Sequence, residues 1–339
     1  MIESRIRNEV TLKKYRRFKR QRRAVISVWI LLILCSFSFT AELWSNSKPL
    51  AMSYRGNLYF PVLKKYHPNT FGRFDIYEMD YRWLNFANGD WVLWPINRWD
   101  PLETNKNLAS YPGKPSIENI LGTDDRGRDV FARLLYGFRY SFIFAVLTWF
   151  FSFTVGTAAG AVMGYFGGAV DMIGQRVVEV FLTIPTLLLL ITIISIFAPS
   201  MFLLVAFMVI FDWTTISLYV RGEFLRLRRR EFTEAARALG GSRARIIFQH
   251  ILPNGLGPVI TFSPLAISAN IVALANLDYL GLGLRPPTPS WGELLNQARQ
   301  YFTVAWWLAV YPSIALVVTL IVMNLIGDSI RTALDPRKT

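Results

Sequence analysis

Asp124, Asp125 and Asp129 lie within six residues of one another, and clustered carboxylates are the raw material of an oxygen-ligated cation site. Arg126 and Arg128 are interleaved with them, and the Asp-x-[Asp/Asn]-x-[Asp/Asn]-Gly order of a calcium loop is missing. The pattern favours a turn with internal salt bridges and no metal. Catalytic sets are poorer still. The two histidines, His67 and His250, are far apart, and the single cysteine, Cys35, sits in an apolar run, so disulfide, zinc and histidine-based schemes lack their parts. Gly113-Lys-Pro-Ser116 lacks the leading glycine of a phosphate loop and puts proline where the loop would open. No Gly-x-Ser-x-Gly elbow or His-Glu-x-x-His helix occurs. The expected class is therefore not an enzyme, and ATP hydrolysis is not expected of this chain.

What remains is polar chemistry inside apolar runs. Asp212 is the one acid well inside such a run, about 12 Å along a helix from Arg221. A carboxylate at that depth faces water, bonds a neighbour such as Thr214 or Thr215, or is protonated. Pro185 interrupts another run, and a third carries Pro258, Ser263, Pro264, Ser268, Asn270 and Asn276. Kinks and polar groups are tolerated at depth where helices or water satisfy them. Asp212, Pro185, Ser263, Ser268 and Asn270 are the candidate lining of a path, against the plainer alternative of helix packing.

The elements that must position these residues are membrane spans. The chain has 339 residues, 53% hydrophobic and 18% charged, with mean hydropathy +0.31 and net charge +14. Ordinary soluble domains carry about 25% charge. Six stretches reach the roughly 20 apolar residues a crossing needs, near 24–43, 140–166, 177–197, 201–220, 257–280 and 304–326. All 37 Lys and Arg fall in the gaps, as expected when each costs about 2.5–3.5 kcal/mol at the bilayer centre. The basic gaps at 1–23, 221–245 and 331–339 share one side, which places both termini in the cytoplasm. The first run is too long for a signal peptide and has no clean cleavage site, so it reads as an anchor. The tail at 1–23, net +8, suits anionic inner-leaflet lipid better than nucleic acid, which is not expected as a partner.

The stretch 44–139 lies outside and is expected to fold, with strands near 58–63 and 91–94. Trp83, Trp91, Trp94 and Trp99 supply either a docking face or, as favoured, a small core and interface belt. The segment leads into Phe131, Leu134, Leu135 and Phe138 at helical spacing, expected to form an interfacial helix. Gly156, Gly160 and Gly164 at i, i+4 and i+8 predict close approach of another backbone. In the cytoplasmic loop, 221–256, a helix runs to Leu239, Gly240-Gly241 breaks it, Ser242 caps a second helix, and Pro253 ends that one. Ala235 and Ala236 give the first helix a low face suited to another protein's groove.

Glu234-Ala235-Ala236, then Gly240, then Leu252-Pro253, resembles the cytoplasmic signature of permease subunits of binding-protein-dependent ABC importers. His250-Ile-Leu-Pro-Asn254, Leu121-Gly-Thr-Asp124, Gly127-Arg-Asp129, Tyr165-Phe-Gly-Gly168, Pro289-Ser-Trp-Gly292 and the tail Gly327 to Pro336 are similar to the dipeptide and oligopeptide branch. Lys48-Pro-Leu, Leu58-Tyr-Phe-Pro61 and Trp91-Val-Leu-Trp94 resemble its Yej-type subunit for peptides and microcins.

The resemblance implies an all-α polytopic fold of the type I importer class, with about six spans, an external α+β or irregular segment, and a five-helix core over 140–330. It implies a bacterial inner-membrane location, a second permease as heterodimer partner, one or two ABC ATPases holding ATP and Mg²⁺, and a periplasmic peptide-binding protein. Glu234, Ala235, Ala236, Gly240, Leu252 and Pro253 would then couple to the ATPases. The rival readings are an ion-gradient-driven secondary transporter, a membrane-bound enzyme, and a receptor built on the external segment.

Overall fold

The structure, a computed structural model, describes residues 9–74, 79–87 and 89–334. Its order is α1 (Glu9–Arg20), α2 (Arg22–Phe39), α3 (Ala41–Trp44), β1 (Ala51–Tyr54), β2 (Asn57–Tyr59), β3 (Trp91–Leu93), α4 (Val130–Phe166), α5 (Gly168–Thr183), α6 (Thr186–Ile196), α7 (Met201–Leu227), α8 (Glu231–Ala238), α9 (Arg243–Arg245), α10 (Leu252–Gly255), α11 (Gly257–Tyr279), α12 (Trp291–Tyr301) and α13 (Trp307–Leu334). Five of these, α2, α4, α7, α11 and α13, are long and apolar enough to cross a membrane. The α5–α6 pair makes a sixth apolar unit, bent by 70° at residues 184–185.

Three expectations change. The first two turns of α4 contain Phe131 to Phe138, so no separate interfacial helix exists there; no proline interrupts the i→i−4 ladder. Pro185 turns its span into two short helices, because it offers no N–H and forces the preceding residue out of the helical region. The basic tail is helical from Glu9, and α13 continues to Leu334. Residues 1–8 and 335–339, including Asp335 and Pro336 of the C-terminal motif, lie outside the described residues.

The glycine stripe of α4 meets α7. A side-chain carbon on Gly156 would strike the Trp213 carbonyl, one on Gly160 the Ser217 carbonyl, and one on Gly164 the Phe224 side chain. Removing that bulk lets two backbones touch, which stabilises helix pairs where no hydrophobic effect separates lipid from protein. α11 packs against α4, α7 and α13, while α2 lies on α4 and α13.

The external segment forms a small antiparallel sheet, order β2-β1-β3. Arg55 and Gly56, both at positive φ, make the two-residue turn between β1 and β2. β1 buries Met52 and Tyr54 against Phe71, Tyr81 and Leu84, so the small core is built from tyrosine, phenylalanine and methionine. Of the four tryptophans named above, Trp99 is buried, Trp94 packs half-buried on this cluster, and Trp83 and Trp91 are exposed. Tryptophan thus supplies part of the expected small core, and tyrosine, phenylalanine and methionine the rest.

Candidate functional site

After α7 ends at Leu227 the chain turns back through three arginines, and α8 projects from the bundle. One side of α8 is held down: buried Thr233 donates its hydroxyl to the Leu227 carbonyl at 2.9 Å, and Ala236 packs on the cluster around Phe224, Leu227, Ile246 and Ile251. The other side presents Phe232, Glu234, Ala235 and Leu239, the last 89% exposed. Glu231 and Glu234 in the first turn complement the positive end of the helix dipole.

Gly240 ends the knob in the left-handed region, φ +77°. Its N–H bonds the Arg237 carbonyl and that of Gly241 bonds Ala236, both at 3.0 Å. This paired 5→2 and 6→1 closure satisfies two terminal carbonyls and needs glycine at its centre. Gly241 is also required, since a side-chain carbon there would stand 2.7 Å from the Ala236 carbonyl oxygen. Ser242 accepts from the Arg245 N–H at 3.3 Å and starts the return limb.

The return limb departs from expectation at Pro253. Pro253 does not end the second helix; a π-helical turn, Ile246–Ile251, precedes it, and Pro253 opens α10. The Leu252 N–H bonds back to Ile247, five residues away. Such wide turns accommodate residues that fit the regular ladder badly. Glu234, Ala235, Ala236 and Gly240 are thus gathered on one knob, with half-buried Leu252 and exposed Pro253 on the limb behind it.

The candidate path residues do not converge. Ser268 and Asn270 are buried within this chain, and the Asn270 amide donates to the Ala145 carbonyl of α4 at 3.4 Å. The Ser263 hydroxyl is spent on the Val259 carbonyl of its own helix. Pro185 is exposed at the α5–α6 bend. Asp212 is half-buried and forms no hydrogen bond among the described residues; the Thr214 hydroxyl bonds Phe211 instead.

Polar groups that sequence spacing does not connect join the external segment to the bundle. Asp129 caps α4, accepting from the Ala132 N–H at 2.8 Å, and also receives the amides of Asn97 at 2.7 Å and Asn119 at 2.8 Å. Burial pushes its carboxyl above the usual carboxylate range. Asp124 accepts from Arg128 at 2.7 Å, so the acidic run is tied up in the expected salt-bridged turn. Arg133 reaches Pro101, Pro287 and Glu293. At the end of the bundle nearer α8, Arg221 of α7 pairs with Asp171 in the first turn of α5, a link across 50 residues. Of these links the sequence signalled only the acidic turn with Asp124 and Asp129; Asn97, Asn119, Arg133 and Glu293 carried no spacing signal.

Residues 156–339 match the family described as binding-protein-dependent transport system inner membrane component, and residues 14–63 match the N-terminal TM domain of oligopeptide transport permease C. The chain is 40% identical over 97% of its length, and 98% of the relative's, to the inner membrane ABC transporter permease protein YejE of Escherichia coli K12. It is 36% identical to the peptidoglycan transport system permease protein YejE of Agrobacterium fabrum, over 97% and 93% of the two chains. The dipeptide transport system permease protein DppC of Alkalihalophilus pseudofirmus is 38% identical over 66% of this chain and 73% of its own. An inward-facing structure of the MetNI methionine ABC transporter shares the fold, with a TM-score of 0.50 at 17% identity, covering 60% of this chain and 98% of the other.

Proposed function

The chain belongs to the family of inner-membrane permease components of binding-protein-dependent transport systems, and from that membership we propose that it forms half of an ATP-driven import path for peptides or peptide-like compounds, worked through the α8 knob. The names of its relatives, dipeptide and peptidoglycan permeases among them, support that cargo class. A second permease completes the path, a periplasmic binding protein delivers cargo to the outer face, and ATPase partners hold ATP and Mg²⁺. Both termini and α8 lie in the cytoplasm.

The observation that carries this reading is the exposure of Glu234, Ala235 and Leu239 on a short helix whose other side is bolted to α7. A helix built so would accept force on its free face and pass it on. Closure of the ATPases on ATP would pull the knob; α7 and α4, in backbone contact along the glycine stripe, would follow as a unit. Asp212, half-buried and unpartnered among the described residues, is the group we assign to the path.

An ion-gradient mechanism is not favoured, since secondary transporters of that kind use several intramembrane ionisable groups and duplicated halves. The test is site-directed cross-linking in cells. With Cys35 replaced by serine, Ala235→Cys should link to a nucleotide-binding subunit, and uptake by the reconstituted complex should stop with vanadate. Cross-linking only to periplasmic proteins, or uptake driven by a pH gradient alone, would sink the proposal.

A further inference from the structure

At the corner between α1 and α2, charge and lipid-facing surface meet. Gln21, in extended conformation, separates the two helices, and its side-chain amide donates to the Ser329 carbonyl of α13 at 3.3 Å. Lys13, Lys14, Arg20, Arg22 and Arg23 are all exposed, and none forms an ion pair among the described residues. Leu12, Tyr15 and Phe18, spaced three apart, are half-buried, and α1 packs on α13 and α2.

Two clefts open at this corner. One, of about 450 Å³, is lined by Gln21, Arg22 and Arg23 on one wall and by Asp328, Ser329 and Thr332 on the other. A second, of about 530 Å³, is lined wholly by basic side chains of α1, Lys13 and Arg20 among them. Asp328 is the single acid among the described residues that line the two clefts, and the excess of cations there favours anions.

Arg22 also heads a stripe along α2. Ile26, Trp29 and Ile33 follow it at helical spacing and are 56%, 62% and 52% exposed. An occupant that uses cations and stripe together must carry a negative head and an apolar tail. We propose that the α1–α2 corner is a binding site for an anionic phospholipid, its phosphate held by Arg22, Arg23 and the basic side of α1, and an acyl chain lying along Ile26, Trp29 and Ile33. Inorganic phosphate or a nucleic acid would engage the cations and leave the stripe unused. The assignment stands on the position of α1 at the end of a membrane span and does not depend on cargo or ATPase coupling.

The test is native mass spectrometry of the full-length chain in its delipidated complex, titrated with phosphatidylglycerol or phosphatidylcholine of equal chain length. Wild type should prefer phosphatidylglycerol by at least about tenfold, a preference that shrinks as salt rises. Lys13→Gln/Lys14→Gln/Arg20→Gln keeps Arg22 and Arg23, and hence the charge flanking the span. It should weaken phosphatidylglycerol by about fivefold per cation removed, roughly 100-fold in all. Arg55→Gln/Lys64→Gln/Lys65→Gln, on the external segment, should change nothing. Equal affinity for the two lipids in wild type, equal loss in both triple variants, or displacement of the lipid by inorganic phosphate or an oligonucleotide would overturn the proposal. So would undiminished binding by Ile26→Ser/Trp29→Ser.

Discussion

Arg133 has no exposed surface, and its guanidinium pairs with the Glu293 carboxylate of α12, 160 residues away in sequence. The same guanidinium donates to the Pro101 carbonyl of the external segment at 3.1 Å and the Pro287 carbonyl before α12 at 3.3 Å. Three separate stretches of the chain are thereby fixed to the first turn of α4. Glu293 keeps Arg128 at 3.0 Å when Arg133 is removed, so its charge stays partly compensated and the loss falls at the lower end of the roughly 3–5 kcal/mol that breaking a buried pair costs. Arg133→Ala is expected to lower stability by that amount in detergent. Arg133→Met paired with Glu293→Leu should recover a large part of it, which a double-mutant thermal unfolding cycle would read.

How much of this was legible in the sequence depends on distance along the chain. The glycine stripe could be read because i, i+4, i+8 spacing is itself the geometry of one helix face, though its partner α7 could not. Pro185 marked a break, but not a 70° bend, because the angle depends on which neighbours receive the freed backbone groups. The Glu234 to Gly240 knob was legible as helix, breaker and cap, all set by local backbone chemistry. The π-helical turn before Pro253 was not, since its winding follows from Ile246 and Ile251 being packed into the core. The Asn270 bond to α4 was not legible, because polarity in an apolar run says nothing of which side it faces. β1 was missed because Ala51 to Tyr54 carries only two large residues in alternation.

Gly160 offers a direct test of the α4–α7 contact. A side-chain carbon there would press on the Ser217 carbonyl, with the Val220 Cβ at 2.9 Å and the Arg221 nitrogen at 3.0 Å. Backbone cannot step aside cheaply, so Gly160→Ala should cost about 1–3 kcal/mol and Gly160→Leu more. Gly222, on α7 with nothing near it, is the control. Gly222→Ala should be neutral or stabilising by up to about 1 kcal/mol. Thermal unfolding of the two alanine variants side by side decides the matter.

Acid sensitivity should arise at Glu42, whose carboxylate receives Arg139 at 2.8 and 2.9 Å just outside α2. Those hydrogen bonds hold its carboxyl below the ordinary glutamate value, outweighing partial burial. A lowered value in the folded state means that the unfolded chain takes up the proton first. The stabilisation is therefore complete above about pH 4.3 and is lost as pH falls through the lowered folded value. Because the Glu42 side chain is 42% exposed, the contribution is at most about 1 kcal/mol. Melting curves should drop more steeply with acid in wild type than in Glu42→Gln, and converge at the acid end.

Asp212 tests the path. In sequence it stands between Phe211 and Trp213 on α7, and the rings of both neighbours meet Phe181 of α5 edge-on. A carboxylate kept in such company without a hydrogen-bond partner is costly unless water or cargo reaches it. Asp212→Asn keeps shape and removes charge; it should lower peptide uptake or shift peptide preference while the complex still assembles. Unchanged rate and preference in proteoliposomes would assign Asp212 to packing.

Ala235 separates force transfer from folding. It is exposed on α8, whereas Ala236 beside it packs on the Phe224 cluster, so only the latter should affect stability. Ala235→Trp places a large ring on the free face and disturbs no described contact of this chain. If the knob seats in an ATPase groove, uptake should fall by at least about tenfold, the loss expected when a poorly fitting ring costs about 1.4 kcal/mol or more at an interface. Membrane insertion and melting temperature should stay at wild-type values. Gly240→Val should give the same uptake defect with an added 1–3 kcal/mol or so of backbone strain, because valine resists φ near +77°. Full uptake by Ala235→Trp, measured beside a melting curve of the same preparation, would show that force enters the bundle elsewhere.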